Sequence, residues 1–113
     1  MRFTVFAVLL GLALTRASGP QTDQRLAAER AKIDTVDRRL VALLNERATL
    51  VRDIGRLKQQ SGAAVNDPAR VADVLRRVTG SNRGPLPNEH LQRIYEAIVR
   101  EMTAFEAQDM AKQ

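Results

Sequence analysis

The chain has 113 residues, enough for one domain, and it is 44% hydrophobic and 27% charged, as is ordinary for a soluble globular protein. Aromatic residues make up only 4% and Trp is absent, a composition that favours helices over a sheet sandwich. There is no Cys and one His, which excludes thiol nucleophiles, disulfides and thiolate metal sites. Any chemistry must therefore depend on Arg, Lys, carboxylates and amides.

Residues 1–19 have the order of a secretory signal peptide. A basic start at Arg2 precedes an apolar run from Phe3 to Leu14, and small residues follow. The run has 12 residues, whereas a membrane-spanning helix needs roughly 20. We therefore expect cleavage near Gly19, no stable membrane anchor, and export of residues 20–113 to the periplasm or the cell exterior.

The net charge of the mature chain is lower than the whole sequence suggests. Removing Arg2 and Arg16 leaves 16 basic residues against 13 acidic ones, so the charge falls from +5 to +3. The remaining basic residues are scattered and do not form one patch, which argues against a nucleic-acid partner.

A long first helix is predicted from Asp23 to about Gln60. No proline interrupts this stretch, and apolar residues recur at alternating steps of three and four. Arg47 occupies one step of this apolar stripe, where a leucine would continue it. Because an unpaired guanidinium on a core-facing stripe is costly, we expect an anion to meet it. The apolar members of the stripe are Leu26, Ile33, Val36, Leu40, Leu43, Leu50, Ile54 and Leu57.

Two shorter helices are predicted to follow. Asp67 and Pro68 are an N-cap and a first helical residue, and Gly80 ends that helix. The third helix begins near Pro87, with apolar residues at helical spacing as far as Phe105 and a frayed tail over 108–113.

The length of the first helix indicates a second copy of the chain. About 38 residues form a rod of roughly 57 Å, and two shorter helices cannot cover its whole apolar stripe. A two-fold homodimer that packs two long helices together would bury the remainder. The sequence therefore predicts an all-α fold, with three helices per chain in an intertwined homodimer.

Arg47 and Lys58 are predicted to share one face of the first helix. They are 11 residues apart, so at about 100° per residue they return to within roughly 20° of each other. Two long basic side chains at this spacing suit a small dianion held between them. Arg30 lies about 25 Å earlier along the helix and on another face, so only the Arg30 of a partner subunit could join them.

These residues carry a family resemblance. The pattern Arg30-x-x-Ile33-Asp34, Arg47, Ile54-Gly55-x-x-Lys58 and Asp67-x-x-Arg70 closely resembles the all-helical chorismate mutases, the AroQ class. The resemblance covers about residues 23–108. It implies a dimer with two active sites, each completed by an arginine of the partner, that converts chorismate to prephenate without a cofactor or a metal.

The resemblance also implies roles for individual residues. Arg47 matches the arginine that binds one substrate carboxylate, and Arg30 matches the arginine that the partner donates to the other. Lys58 matches the lysine at the ether oxygen and ring hydroxyl. Asp67 and Arg70 match residues that enclose the substrate at the start of the second helix. Glu106 matches a Gln or Glu that hydrogen-bonds the ether oxygen; a neutral, protonated acid would donate that bond.

Two positions depart from the family pattern. Val71 stands where a glutamate often binds the ring hydroxyl, and Met102 stands where many members have a serine. Both changes make the expected pocket more apolar. The related isochorismate pyruvate lyases share the arginines and the lysine, and Pro68-x-Arg70-Val71 resembles them, so this lyase is the nearest alternative.

An alternative from a different class also fits part of the sequence. A secreted coiled-coil protein with no catalytic site would form the same dimer, yet it would have no reason to place Arg47 in the apolar stripe.

Overall fold

The computed structural model describes residues 19–112, and these form three helices. They are α1, Pro20–Ser61; α2, Pro68–Gly80; and α3, Asn88–Ala111. No strand occurs in this part of the chain, so the predicted all-α class and the order of one long and two shorter helices are confirmed. The predicted signal peptide, apart from Gly19, lies outside the described residues. Over 19–112, no helix is both long and apolar enough to cross a membrane.

The start of α2 has the cap that the sequence predicts. Asp67 precedes the helix, and its Oδ1 accepts a hydrogen bond of 3.0 Å from the backbone N–H of Arg70. Pro68 follows at the first helical position, where its missing N–H costs no hydrogen bond. This cap fixes where Arg70 and the rest of the first turn begin.

Asn82 organises the connection between α2 and α3. Its Nδ2 donates to Leu86 O and to Asn88 Oδ1, both at 2.7 Å, and its Oδ1 accepts from the N–H of Gly84 at 3.0 Å. Gly84 has a φ of 70°, a left-handed conformation that favours glycine. The loop is therefore held by one amide side chain.

The end of α3 corrects the prediction of a frayed tail. The helix continues to Ala111 instead of ending near Gln108. Gln59 on α1 donates from Nε2 to the carbonyl of Met110 at 3.0 Å, and the Met110 side chain lies against Gly55. These contacts with α1 order a segment whose own sequence has little apolar periodicity.

The chain divides into two compact units within α1. The first ends at Asp37, and its described part is the helical stretch 20–37; the second is Arg38–Gln113 and contains α2 and α3. The only residues of 19–112 that are buried belong to the second unit, namely Gly55, Val99 and Glu106.

The apolar stripe of α1 is exposed in the single chain. All eight of its apolar members are exposed, from 45% at Leu26 to 62% at Leu57. A stripe of large aliphatic side chains in contact with water is unfavourable, at about 25 cal/mol for each Å² of apolar surface. Within residues 19–112, no surface of the same chain covers this stripe.

Candidate active site

A cavity of about 260 Å³ lies in the second unit, between α1, α2 and α3. Its volume falls just below the usual range for small-molecule sites, which is about 300–1,000 Å³. Five of the six predicted site residues line it, and they come from all three helices and the α2 cap: Arg47, Lys58, Asp67, Arg70 and Glu106. The sixth, Arg30, is an exposed residue of the first unit.

Arg47 projects a cation into this cavity without a carboxylate partner. Its side chain is half-buried, and none of the carboxylates in residues 19–112 forms an ion pair with it. Val51 and Ile54 lie on the same wall, between Arg47 and Lys58, as the angular spacing of α1 predicts. An uncompensated guanidinium that is partly removed from water is suited to meet an anion.

Lys58 is held by two oxygens. Its Nζ donates to the carbonyl of Val65 at 2.9 Å and lies 2.8 Å from Glu106 Oε1. The two charged side chains are 19% and 7% exposed, so water screens their attraction only in part. The fold thus fixes the position of the ammonium group before any ligand enters.

Glu106 is the buried carboxylate of the cavity. Its Oε1 contacts Lys58 as an ion pair, but the angles are not those of a hydrogen bond, and this oxygen accepts no hydrogen bond elsewhere. A buried carboxylate oxygen without a hydrogen bond is uncommon and costly. The ion pair with Lys58 offsets part of that cost.

Arg70 is positioned by its own helix. Its Nη1 donates to Asp73 Oδ2 at 3.1 Å, and the same oxygen lies 2.9 Å from Arg77 Nε. Arg76 pairs with the other carboxylate oxygen. The Asp73 carboxylate therefore pairs with three guanidinium groups, each about one helical turn away on α2. These four side chains together carry a net positive charge.

The rest of the cavity wall is mostly apolar. Val71 and Met102, the two positions that depart from the family pattern, both line it. Thr103 also lines the cavity and was missed by the sequence analysis, as was the contact of Asp73 with Arg70. The i, i+3 spacing of Arg70 and Asp73 was a usable signal for that contact, whereas Thr103 had none.

The residues at the cavity do not have the composition of a metal site. Over the described part of the chain, no three His, Cys, Asp or Glu side chains are grouped closely enough to hold an ion.

The fold and the cavity together define a small all-helical protein with a basic pocket that contains one buried carboxylate. The chain matches the family Chorismate mutase type II over residues 29–107, and it belongs to that family.

Individual relatives agree with this assignment. A bifunctional chorismate mutase/prephenate dehydratase of Neisseria gonorrhoeae is 42% identical over 84 residues, which are 74% of this chain and 23% of that protein. The chorismate mutase of Methanocaldococcus jannaschii is 36% identical over 55 residues, which are 49% of this chain and 56% of that one. The chain thus spans about a quarter of the length of the bifunctional relatives it matches.

The fold has a close match among solved structures. A chorismate mutase of Thermus thermophilus superposes with a TM-score of 0.71 at 35% identity, over 74% of this chain and 94% of that chain. That match is to Form II of the protein; Form I gives a TM-score of 0.67 at 36% identity, over 69% of this chain and 98% of that chain.

Proposed function

We propose that this protein is a chorismate mutase, which rearranges chorismate to prephenate. The observation that carries the proposal is the convergence of Arg47, Lys58, Arg70 and Glu106 on one cavity between three helices. Family membership supports the same activity. A dicarboxylate substrate matches a pocket with more cationic than anionic groups.

The reaction suits this set of residues because it needs no nucleophile, redox group or proton transfer. Within one molecule, the C–O bond of the ether breaks while a new C–C bond forms, and electrons move in a closed ring. A protein accelerates such a step by holding the substrate in a folded conformation and by placing donors where negative charge develops on the ether oxygen.

Lys58 is the proposed donor to the ether oxygen. An ammonium group has three N–H donors. One is donated to Val65 O at 2.9 Å, and Glu106 Oε1 lies 2.8 Å from Nζ as an ion pair without the angles of a hydrogen bond. Two N–H donors therefore remain, and one of them is the proposed donor to the ether oxygen. The Glu106 carboxyl group is the proposed second contact of that oxygen.

Arg47 and Arg30 are the proposed carboxylate ligands. A guanidinium binds a carboxylate through two parallel N–H bonds, which fixes orientation as well as position. Arg47 lines the cavity and has no acidic partner among the residues that the structure describes, so it is available to bind one carboxylate. We assign the other to Arg30 of the partner subunit, and Arg70 and Asp67 to the closure of the pocket.

A homodimer is part of this proposal. The stripe of α1 leaves eight large aliphatic residues exposed. Packing this stripe against a second copy of the chain would bury them, and two-fold dimers are the commonest homo-oligomers. The dimer would supply the second arginine at the same time as it covers the apolar surface.

The decisive experiment is product analysis with two substrates. Purified protein is incubated with chorismate and, separately, with isochorismate, and the products are separated. Prephenate from chorismate supports the mutase. Salicylate and pyruvate from isochorismate would assign the lyase instead, an outcome that the apolar wall at Val71 and Met102 makes worth testing. An intact dimer that leaves both substrates unchanged would contradict both activities.

Export of the mature chain is also proposed, on the strength of the basic start and the apolar run in residues 1–19. Mass measurement of the protein from the periplasm or medium tests it. A mature chain that starts between 18 and 20 supports export, and a full-length protein retained in the cytoplasm contradicts it.

A further inference from the structure

Gly55 is a buried glycine in the interior of α1, where glycine is a poor choice. Glycine is among the least favourable residues in a helix interior, and alanine the most favourable. No left-handed conformation requires it, since Gly62 and Gly84 are the glycines with positive φ within 19–112. Another constraint must therefore explain a glycine at this position.

The constraint is the approach of α3. A Cβ at position 55 would lie 3.2 Å from Glu106 Cγ and 3.3 Å from Met110 Cγ, both closer than ordinary van der Waals contact. The first of these atoms is one bond from the Glu106 carboxyl group. A methyl group here would displace the Glu106 side chain by a few tenths of an ångström. That shift would alter the contact of its carboxyl group with Lys58, which is one helical turn from Gly55 on α1.

We propose that Gly55 is a positioning residue, which sets the place of the Glu106 carboxyl group beside Lys58 by leaving space for the Glu106 side chain. The proposal rests on the proposed mutase function for its kinetic consequence. Gly55 touches no substrate; it acts through Glu106. Small displacements of a group that faces the reacting atoms reduce turnover more than they reduce binding.

The test uses G55A with a matched glycine as control. Gly80 ends α2 and has helical backbone. Apart from its chain neighbours and the backbone of its own helix, no described atom lies within 4 Å of the position a Cβ would take, so G80A adds the same methyl group to open space. For G55A we expect kcat for chorismate to fall roughly tenfold with KM changed much less. G80A should match the wild type in both constants.

A second variant separates positioning from a general disturbance of the helix. E106A removes Cγ, the nearest atom to the added methyl group. In the E106A background, G55A should therefore cause little further loss of kcat. The proposal is overturned if G55A has wild-type kcat, or if it lowers kcat by the same factor with and without Glu106.

Urea unfolding gives a readout that does not depend on catalysis. Because alanine favours the helix where it meets no neighbour, G55A should raise the urea midpoint more in the E106A background than in the wild type. Equal shifts in both backgrounds would overturn the steric basis of the proposal. A wild-type protein that leaves chorismate unchanged while the urea shifts differ would contradict the proposed function and leave the contact between Gly55 and Glu106 supported.

Discussion

Lys58 Nζ lies 2.8 Å from Glu106 Oε1, and this ion pair joins α1 to α3 at the wall of the cavity. The Lys58 ammonium is also bound by Val65 O, at the turn that leads into α2. The Lys58 side chain thus connects α1, the turn before α2, and α3. Its charge is fixed in place before a ligand arrives, which is the condition for electrostatic catalysis without reorganisation.

Replacing Arg47 should remove activity without unfolding the protein. For Arg47→Ala we expect kcat/KM for chorismate to fall by roughly 100-fold or more, because a two-point contact with a carboxylate is lost. Stability should change by less than about 1 kcal/mol, since Arg47 forms no ion pair or side-chain hydrogen bond with the rest of residues 19–112. Steady-state kinetics, circular dichroism and size-exclusion chromatography measure these effects.

Arg56 provides the control for that change. It lies on the same helix and pairs with Asp53 only at 3.8 Å, with both side chains about half exposed. Arg56→Ala should leave kcat/KM within about twofold of the wild type. An Arg47→Ala protein that unfolds or dissociates would assign Arg47 a structural role.

Glu106→Gln should test the carboxyl group beside Lys58, whose Nζ lies 2.8 Å from Glu106 Oε1. An amide of the same shape donates a hydrogen bond to the ether oxygen and carries no charge to repel the negative charge that develops there. We therefore expect Glu106→Gln to keep kcat for chorismate at or above the wild-type value. Glu106→Ala has no donor, so its kcat should fall roughly tenfold. Steady-state kinetics measure both variants, and equal losses in the two would contradict this role.

Asp67 should stabilise the protein by accepting a hydrogen bond at the N-terminus of α2. Asp67→Ala removes the acceptor of the Arg70 N–H and should cost about 1 kcal/mol of unfolding free energy. Asp67→Asn keeps an equivalent cap and should cost much less. Urea unfolding with chorismate absent separates this effect from any role of Asp67 in the pocket. Equal stability of the two variants would show that the cap is not what Asp67 contributes.

The sequence was sufficient for the features that depend on local chemistry. Periodicity predicted the helices, Asp67 and Pro68 predicted the start of α2, and the 11-residue spacing placed Arg47 and Lys58 on one face. The helices, the start of α2 and the shared face of Arg47 and Lys58 all depend on residues that are close together in the sequence.

The features that the sequence did not reveal depend on contacts between helices. The order of α3 beyond Gln108 depends on Gln59 and Gly55 of α1, which are about 50 residues away. Thr103 lines a cavity formed by residues of all three helices, and nothing in its own sequence neighbourhood distinguishes it. The assignment of Arg30 to a partner's site remains a prediction for the same reason, since it concerns a contact outside the single chain.

That assignment can be tested by mixing two inactive proteins. If each site uses its own Arg47 and the partner's Arg30, then Arg30→Ala and Arg47→Ala homodimers have no intact site. A mixed dimer has one intact site, formed by Arg47 of the first variant and Arg30 of the second, and one site that lacks both. After unfolding and refolding an equimolar mixture, half of the dimers are mixed, so activity should recover to about a quarter of the wild-type value. If Arg30 served its own chain's site, every site in the mixture would lack one arginine, and refolding would restore no activity.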